Sequence, residues 1–379
     1  MKKIAFLINS LGKGGAERVA VNLAAHFYSQ GYEILFVTSR ELPEEYVVSF
    51  PARRRLLERE IAGAPMGRVG RMPARVWRLR RIWREERPDM IIALVGKMNL
   101  YAIVSAAGIQ IPVFLSVRSD PAREYPSPLQ KKLADVLFRR AAGVIFQTRE
   151  AADAFPAAVR ARAAVLPNAL DASFVKPRYE GRRRPEIVMV GRLDANKNHE
   201  MLLRVFADMQ ETYPHWRVRI YGSGLHGTGG GPEENTEPLL RMLVQELEID
   251  DKVDFMGRQT NIREKIEAAS VFVLVSDYEG MPNALLEAMA TGLAVIATDC
   301  PCGGPRSVIQ NGKNGILIPV GDEQALATAL HSVMGDAAYA DALGREAAKL
   351  AAELSPERVC GLWQKEIESR VSGYVGRKS

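Results

Sequence analysis

Cysteine is scarce in this sequence: its 379 residues include three, Cys300, Cys302 and Cys360. Three thiols exclude a disulfide framework and are too few for a closed zinc site. Cys300 and Cys302 lie in a Pro/Gly loop, where a pair of small structural side chains is the plain reading. Long apolar runs are missing as well. No stretch approaches the roughly eighteen residues a membrane-spanning helix needs. Lys2 and Lys3 precede only five apolar residues before Asn9, too short for a secretory signal core, so a cytoplasmic protein is expected. The phosphate loop of nucleoside triphosphatases is absent, and so is a complete dinucleotide fingerprint. Glu17 stands where the third glycine after Gly14 belongs, and the second apolar run ends Val37–Thr38–Ser39–Arg40, without an acid for an adenosine ribose. NAD is not an expected ligand.

What is present describes a soluble globular chain, 47% hydrophobic and 25% charged. Its length exceeds what one core usually supports, so two domains are expected. Apolar, β-branched runs at 4–8, 33–38, 90–95, 113–117, 144–147 and 165–167 alternate with helical patterns. After a polar, Pro-flanked segment at 176–185 a second series follows, at 187–190, 217–221, 253–256, 271–275, 294–297 and 316–318. Continuous runs of this kind are strands buried on both faces of a parallel sheet. The fold class read from them is α/β, with two doubly wound domains facing each other. The stretch 226–237, rich in Gly, Glu and Pro, reads as an exposed loop.

Charge is uneven. Residues 1–180 hold 29 Lys+Arg against 17 Asp+Glu, and twelve arginines face four glutamates between Arg53 and Arg87. Nucleic acid and an anionic membrane are the two usual partners of such a patch. Within it, 73–87 alternates Arg75, Arg78, Arg81 and Arg84 with apolar residues that include Trp77 and Trp83. Two readings fit: a basic interfacial helix, or a surface helix that packs its apolar stripe and solvates its arginines. The two tryptophans and the basic half favour the membrane.

The most informative segment is 276–292. An apolar strand runs into a loop bearing Glu279, a helix opens near Asn283, Glu287 sits one turn inside, and Gly292 closes it. Free N–H groups at such a helix start, aided by the helix dipole, hold a phosphate. Glu287, with two acceptor oxygens, suits a vicinal diol such as a ribose. Upstream, Arg192 and Lys197 follow the first strand of the second series; they either converge on a ligand crevice or are two solvated cations. His199 reads as a helix-face residue. The glycines at Gly12, Gly14 and Gly15 let backbone approach a bound group closely, and a bare strand–helix turn fits them equally.

Together the Gly14–Gly15–Ala16–Glu17 loop, the Gly191–Arg192–Leu193 to Lys197–Asn198 element and Glu279 with Glu287 in a Glu-x7-Glu pattern resemble the family 4 retaining glycosyltransferases. The resemblance spans essentially the whole chain. It implies the GT-B architecture: an acceptor-binding domain at 1–177, a nucleotide-sugar domain at 178–355, and a last helix, 356–379, crossing back to the first. It further implies that Arg192 and Lys197 neutralise the diphosphate, Glu287 holds the ribose and Glu279 lies against the transferred sugar. Gly280, Met281, Pro282, Asn283, Ala284 and Leu285 would offer amides to sugar and phosphate, Gly257 and Arg258 would border the base, and Gly14 and Gly15 would approach the diphosphate. The expected activity is retaining transfer of a hexose or N-acetylhexosamine, from UDP by preference, without metal or other cofactor. The acceptor would be a glycan or lipid-linked, with the enzyme peripheral on the inner face of the cell membrane and no nucleic acid partner. Arg75 to Arg84 would meet the membrane or an acceptor pyrophosphate. Relatives often carry a histidine after the fourth long strand; here the run is Ser116–Val117–Arg118–Ser119–Asp120, leaving Arg118 as the candidate there. A nucleotide-sugar epimerase on the same architecture is the rival.

Overall fold

The computed structural model describes residues 2–58, 68–224 and 235–375. The loop expected at 226–237 and part of the basic run, 59–67, lie mostly outside them. The chain divides into two compact units, Met1–Ala169 with Pro356–Ser379, and Leu170–Ser355. The expected linker at 176–185 falls later than this division. The reason is local bonding: Leu170 N–H donates to Leu354 O at 2.8 Å, and Arg263 donates to the carbonyls of Phe174 and Pro177. Those bonds tie 170–177 into the second unit.

The first unit is built on seven parallel strands, β1 (Lys3–Ile8), β2 (Glu33–Thr38), β3 (Arg53–Leu56), β4 (Met90–Leu94), β5 (Val113–Ser116), β6 (Gly143–Phe146) and β7 (Ala163–Val165), in the order β3-β2-β1-β4-β5-β6-β7. β1 shows why: Ile4, Ala5, Phe6 and Leu7 are wholly buried, so helices must cover both faces. Right-handed crossovers put the helices Arg68–Glu86, Gly96–Ala106 and Pro128–Leu137 on one face, packed side by side. The helices Gly15–Ser29 and Pro356–Val375 pack together on the other. His26 bonds Gln364 at 2.8 Å across that pair, and Tyr32, just past the first helix, donates to Glu368 at 3.3 Å.

β3 departs from the expected pattern. Its sequence, Arg-Arg-Arg-Leu, reads as part of the charge patch, yet it is an edge strand held by ion pairs rather than by apolar packing. Arg53 and Arg55 each reach the buried Glu86 at 2.9 Å, and Arg54 pairs with Glu45. Three arginines of the basic run are therefore engaged by carboxylates within the unit. β7 also lies two residues earlier than expected.

The second unit has six parallel strands: β8 (Arg184–Val190), β9 (Arg217–Tyr221), β10 (Val253–Gly257), β11 (Ala269–Leu274), β12 (Ala294–Thr298) and β13 (Ile316–Ile318), in the order β10-β9-β8-β11-β12-β13. The strand order reverses between β8 and β11. In open α/β sheets that switch point leaves a crevice beyond the carboxyl ends of the strands, where ligands bind.

Candidate functional site

The loops that leave β8 and β11 carry the two strongest sequence motifs, and the sheet order sets them next to each other. Asn196 stitches them together. Its Nδ2 donates to Tyr278 O and its Oδ1 accepts from Tyr278 N–H, both at 3.2 Å, while Asp277 N–H donates to Asn196 O at 2.9 Å. Asp194 caps the turn Ala195–Lys197 and accepts from Lys197 N–H at 3.3 Å. The same carboxylate pairs with Arg192 at 3.0 Å, and half of the Arg192 side chain is exposed. Lys197 therefore points across the switch point, where its ammonium forms a short ion pair with the Glu279 carboxylate. Both side chains are largely shielded, at 14% and 13% exposure. Ser276 Oγ donates to the same Glu279 oxygen at 2.9 Å. A cation and a carboxylate that sequence reading assigns to two parts of one ligand thus hold each other here.

The helix that follows is Asn283–Thr291. Pro282 caps it without a side-chain bond, and Gly292 ends it in the left-handed region at φ 79°, as expected. The first intrahelical bonds run from Leu285 and Leu286 N–H to Pro282 O, so the amides of Asn283 and Ala284 precede the ladder. Glu287 is 6% exposed and lies inside the unit, not in bulk solvent. Gly280, Met281, Pro282 and Leu285 are buried, whereas Asn283 and Ala284 are half-buried. Two glycines outside the recognised motifs make this packing possible. A Cβ on Gly304 would collide with Gly280 O, and one on Gly222 with Gly191 O. Gly222 N–H in turn donates to Gly257 O at 2.9 Å, and Gly257, at φ 63°, sits at a register shift between β9 and β10. Arg258 is exposed beside it. Sequence signals for these close approaches existed only as isolated glycines after strands.

Burial tunes the groups around this crevice. Cys300 is pushed up to about 12 by burial and by the nearby Glu279 carboxylate, so it is an inert thiol. His199 is pulled down to about 3 by burial and by the Lys197 charge, which leaves it neutral at the start of its helix. Among the described residues no three His, Cys, Asp or Glu side chains are grouped as metal ligands would be.

The remaining candidates lie in the first unit. Gly14 caps the helix Gly15–Ser29, and the Glu17 carboxyl folds back over it; burial raises that carboxyl above its ordinary range. Arg118, the candidate in the place of the histidine, is buried. Its guanidinium donates to Asn168 Oδ1, which also accepts from Gln147 at 2.8 Å, and lies 5.9 Å from the Trp363 ring. The residue that organises this region was not foreseen. Glu124 accepts from the backbone N–H groups of Gly96, Arg118 and Ser119 at 2.8, 2.5 and 2.8 Å, joining the loops after β4 and β5. Burial pushes Glu124 up to about 7 against those donors and the Arg118 charge, and pulls Arg118 down to about 10. Ahead of Gly96 stands Val95 at φ 71°, a conformation that strains a β-branched residue.

The basic helix needs correction. It begins at Arg68 with Pro73 inside it. Trp83 is a core residue whose indole N–H donates to Ser105 Oγ at 2.8 Å, so it is not available to a membrane; Trp77 is 63% exposed. Residues spaced by three drift about 60° per step around a 3.6-residue helix, so the four arginines do not share a face. Arg78 is buried, Arg75 pairs with Glu58 at 2.6 Å, Arg81 pairs with Glu85 at 2.5 Å, and Arg81 and Arg84 are exposed.

Comparison with known proteins supplies the family. Residues 14–169 match the glycosyl transferase 4-like domain and residues 175–350 match the glycosyl transferases group 1 model. The chain belongs to the GT4-type glycosyltransferases. This glycosyltransferase is 32% identical over 212 residues to an exopolysaccharide phosphotransferase of Streptomyces coelicolor, a match covering 56% of this chain and 21% of that protein. It is 25% identical over 386 residues, 97% of this chain and 98% of the other, to an alpha-1,4-N-acetyl-D-galactosaminyltransferase of Campylobacter jejuni. That relative is named for an acceptor of GalNAc residues on diNAcBac-PP-undecaprenol. The Anabaena HepE structure in complex with UDP superposes with a TM-score of 0.80 at 19% identity, covering 97% of this chain and all of that one. The two parallel-sheet, Rossmann-like units of this glycosyltransferase thus have the GT-B fold.

Proposed function

We propose that this glycosyltransferase moves a hexose or N-acetylhexosamine from a UDP-sugar to a lipid-linked or polysaccharide acceptor, with retention of anomeric configuration, at the membrane's cytoplasmic face. The observation that carries the donor half is the shielded Lys197–Glu279 pair at the β8/β11 switch point, with Glu279 in the loop that leads into the Asn283–Thr291 helix. An incoming diphosphate competes for Lys197. Once Lys197 turns to the phosphates, Glu279 is released to accept hydrogen bonds from sugar hydroxyls. Arg192 supplies a forked cation, and the Asn283 and Ala284 amides, which precede the helix ladder, would meet a phosphate together with the helix dipole. Glu287 then grips the ribose diol from inside the helix. As the glycosidic bond breaks, negative charge grows on the leaving diphosphate, and these preorganised groups stabilise it.

The acceptor half draws on the relative that extends an undecaprenol-linked glycan. The epimerase rival is not carried forward, because both matching family models are of transferases. A panel of UDP-, GDP- and dTDP-sugars with an undecaprenyl diphosphate glycan, read by released nucleotide, tests the reading. UDP release that depends on acceptor and persists in EDTA is the expected result. Release from GDP- or dTDP-sugars alone would sink the donor assignment.

A further inference from the structure

The helix Pro128–Leu137 turns apolar side chains outward. Leu129 is 68%, Leu133 40% and Val136 47% exposed, while Ala134 faces the core. Steps of four and three residues put these three on one stripe of the helix. Lys132 flanks the stripe, and Arg139 and Arg140 follow its end, all three exposed. No carboxylate opposes them from the segment 121–140: Glu124 is engaged by backbone amides, and Asp135 pairs with Lys131. The neighbouring helices of the same layer add Val104 at 40% exposure and Trp77.

An apolar stripe edged by cations matches a bilayer with anionic headgroups. The leucines and valine enter the headgroup–acyl boundary while Lys and Arg stay with lipid phosphates. A folded protein partner would have to present an apolar patch and an acidic rim together at one place; an anionic bilayer offers both everywhere. We propose that the helix Pro128–Leu137 is the membrane-docking element, with Leu129, Leu133 and Val136 inserted and Lys132, Arg139 and Arg140 against lipid phosphates. The proposal rests on the membrane-associated reading above. It moves the contact from the 68–86 helix, where Trp83 and Arg78 are buried, to a helix whose outward stripe only the structure reveals.

Sedimentation of the full chain tests it, using vesicles of phosphatidylcholine alone and of phosphatidylcholine mixed with phosphatidylglycerol. The parent chain is expected to pellet with the mixed vesicles. The triple variant Leu129→Ser, Leu133→Ser, Val136→Ser is expected to lose at least about tenfold in vesicle affinity, since three inserted apolar side chains are removed. Its melting midpoint and its donor turnover without lipid should match the parent. Lys132→Glu with Arg140→Glu should abolish the preference for anionic vesicles. A control pair in the second unit, Leu239→Ser with Met242→Ser, replaces side chains 66% and 65% exposed and should bind as the parent does. Parent-like binding by the triple variant would overturn the assignment to this helix and leave membrane association standing. Failure of the parent chain to bind either vesicle would overturn both, while lipid-free donor turnover reports on sugar transfer separately.

Discussion

At the ends of β8 and β11 the Glu279 carboxylate is held by a side-chain ammonium, Lys197, and a hydroxyl, Ser276. At the ends of β4 and β5 the Glu124 carboxylate is held by three backbone amides. The two sheets share a doubly wound topology, yet their carboxylates differ in what release would require. A lysine can swing to a new partner by rotating its own side chain. Backbone amides cannot leave without moving the loops that carry them. The first arrangement suits a place where partners are exchanged, the second a place where loops must stay fixed. In the proposed reading one carboxylate meets a ligand and the other is scaffold.

The largest effects that would sharpen this contrast are catalytic. Lys197→Ala and Arg192→Ala should each lower kcat/KM by about 100- to 1,000-fold, roughly 3–4 kcal/mol, as loss of one preorganised donor to a developing anion does. The melting midpoint of Arg192→Ala, half of whose side chain is exposed, should stay close to the parent, while that of Lys197→Ala should fall modestly because the shielded Glu279 loses its cation. Steady-state kinetics with a UDP-sugar gives the first number and calorimetry the second. Turnover of Lys197→Ala within tenfold of the parent would break the assignment. Next in size is Glu124→Ala, which leaves three partly buried N–H groups without their acceptor and Arg118 without its charge partner. A loss of about 3 kcal/mol or more is expected from unsatisfied buried donors, seen as a lowered melting midpoint. If Glu124→Ala melts with the parent and Glu279→Ala does not, the comparison is reversed.

How much of this was legible in the sequence follows the range of the interactions. Both ends of the Asn283–Thr291 helix were readable, because Pro282 and Gly292 act on the chain beside them. The second series of strands was readable because runs such as Val271, Phe272 and Val273 are wholly buried. Lys197 and Glu279 were each identified, but not their pairing, which joins positions 82 residues apart. Asn196 and Glu124 were missed for a related reason: Asn196 bonds the backbone of a loop 82 residues away and Glu124 reaches Gly96 in another loop, and no local pattern marks that reach. β3 was hidden because ion pairs to Glu86 and Glu45, rather than apolar alternation, hold it in the sheet. The four arginines at 75, 78, 81 and 84 are regularly spaced, yet they do not form one face of the helix. A period of three is visible in the letters but is not the period of the helix.

The smallest expected effect concerns pH and separates Glu124 from the other carboxylates. Burial raises Glu124 from its ordinary 4.5 to about 7, so the folded state favours the protonated carboxyl. Between those values the folded chain binds more protons than the unfolded chain at this position. Stability from this group is therefore fully present below about pH 4.5 and is lost as pH rises to about 7. The slope is at most about 1.4 kcal/mol per pH unit, one proton's worth. Glu45 and Asp341 behave oppositely. Arg54 and the amides of Leu42 and Leu11 overcome burial at Glu45, and bonds from Arg178 and Arg345 act on Asp341, so both are held below their ordinary range. Their stability is lost on the acid side instead. Melting midpoints from pH 4.5 to 7.5 should accordingly fall less steeply in Glu124→Gln than in the parent. Gln keeps one carbonyl oxygen for the amides of Arg118 and Ser119, which share a carboxylate oxygen in the parent, gives up the bond from Gly96, and has no proton to lose. A Glu124→Gln profile parallel to the parent across that window would mean that Arg118 keeps Glu124 ionised throughout, and the carboxylate would then be scaffold by charge as well as by its three amides.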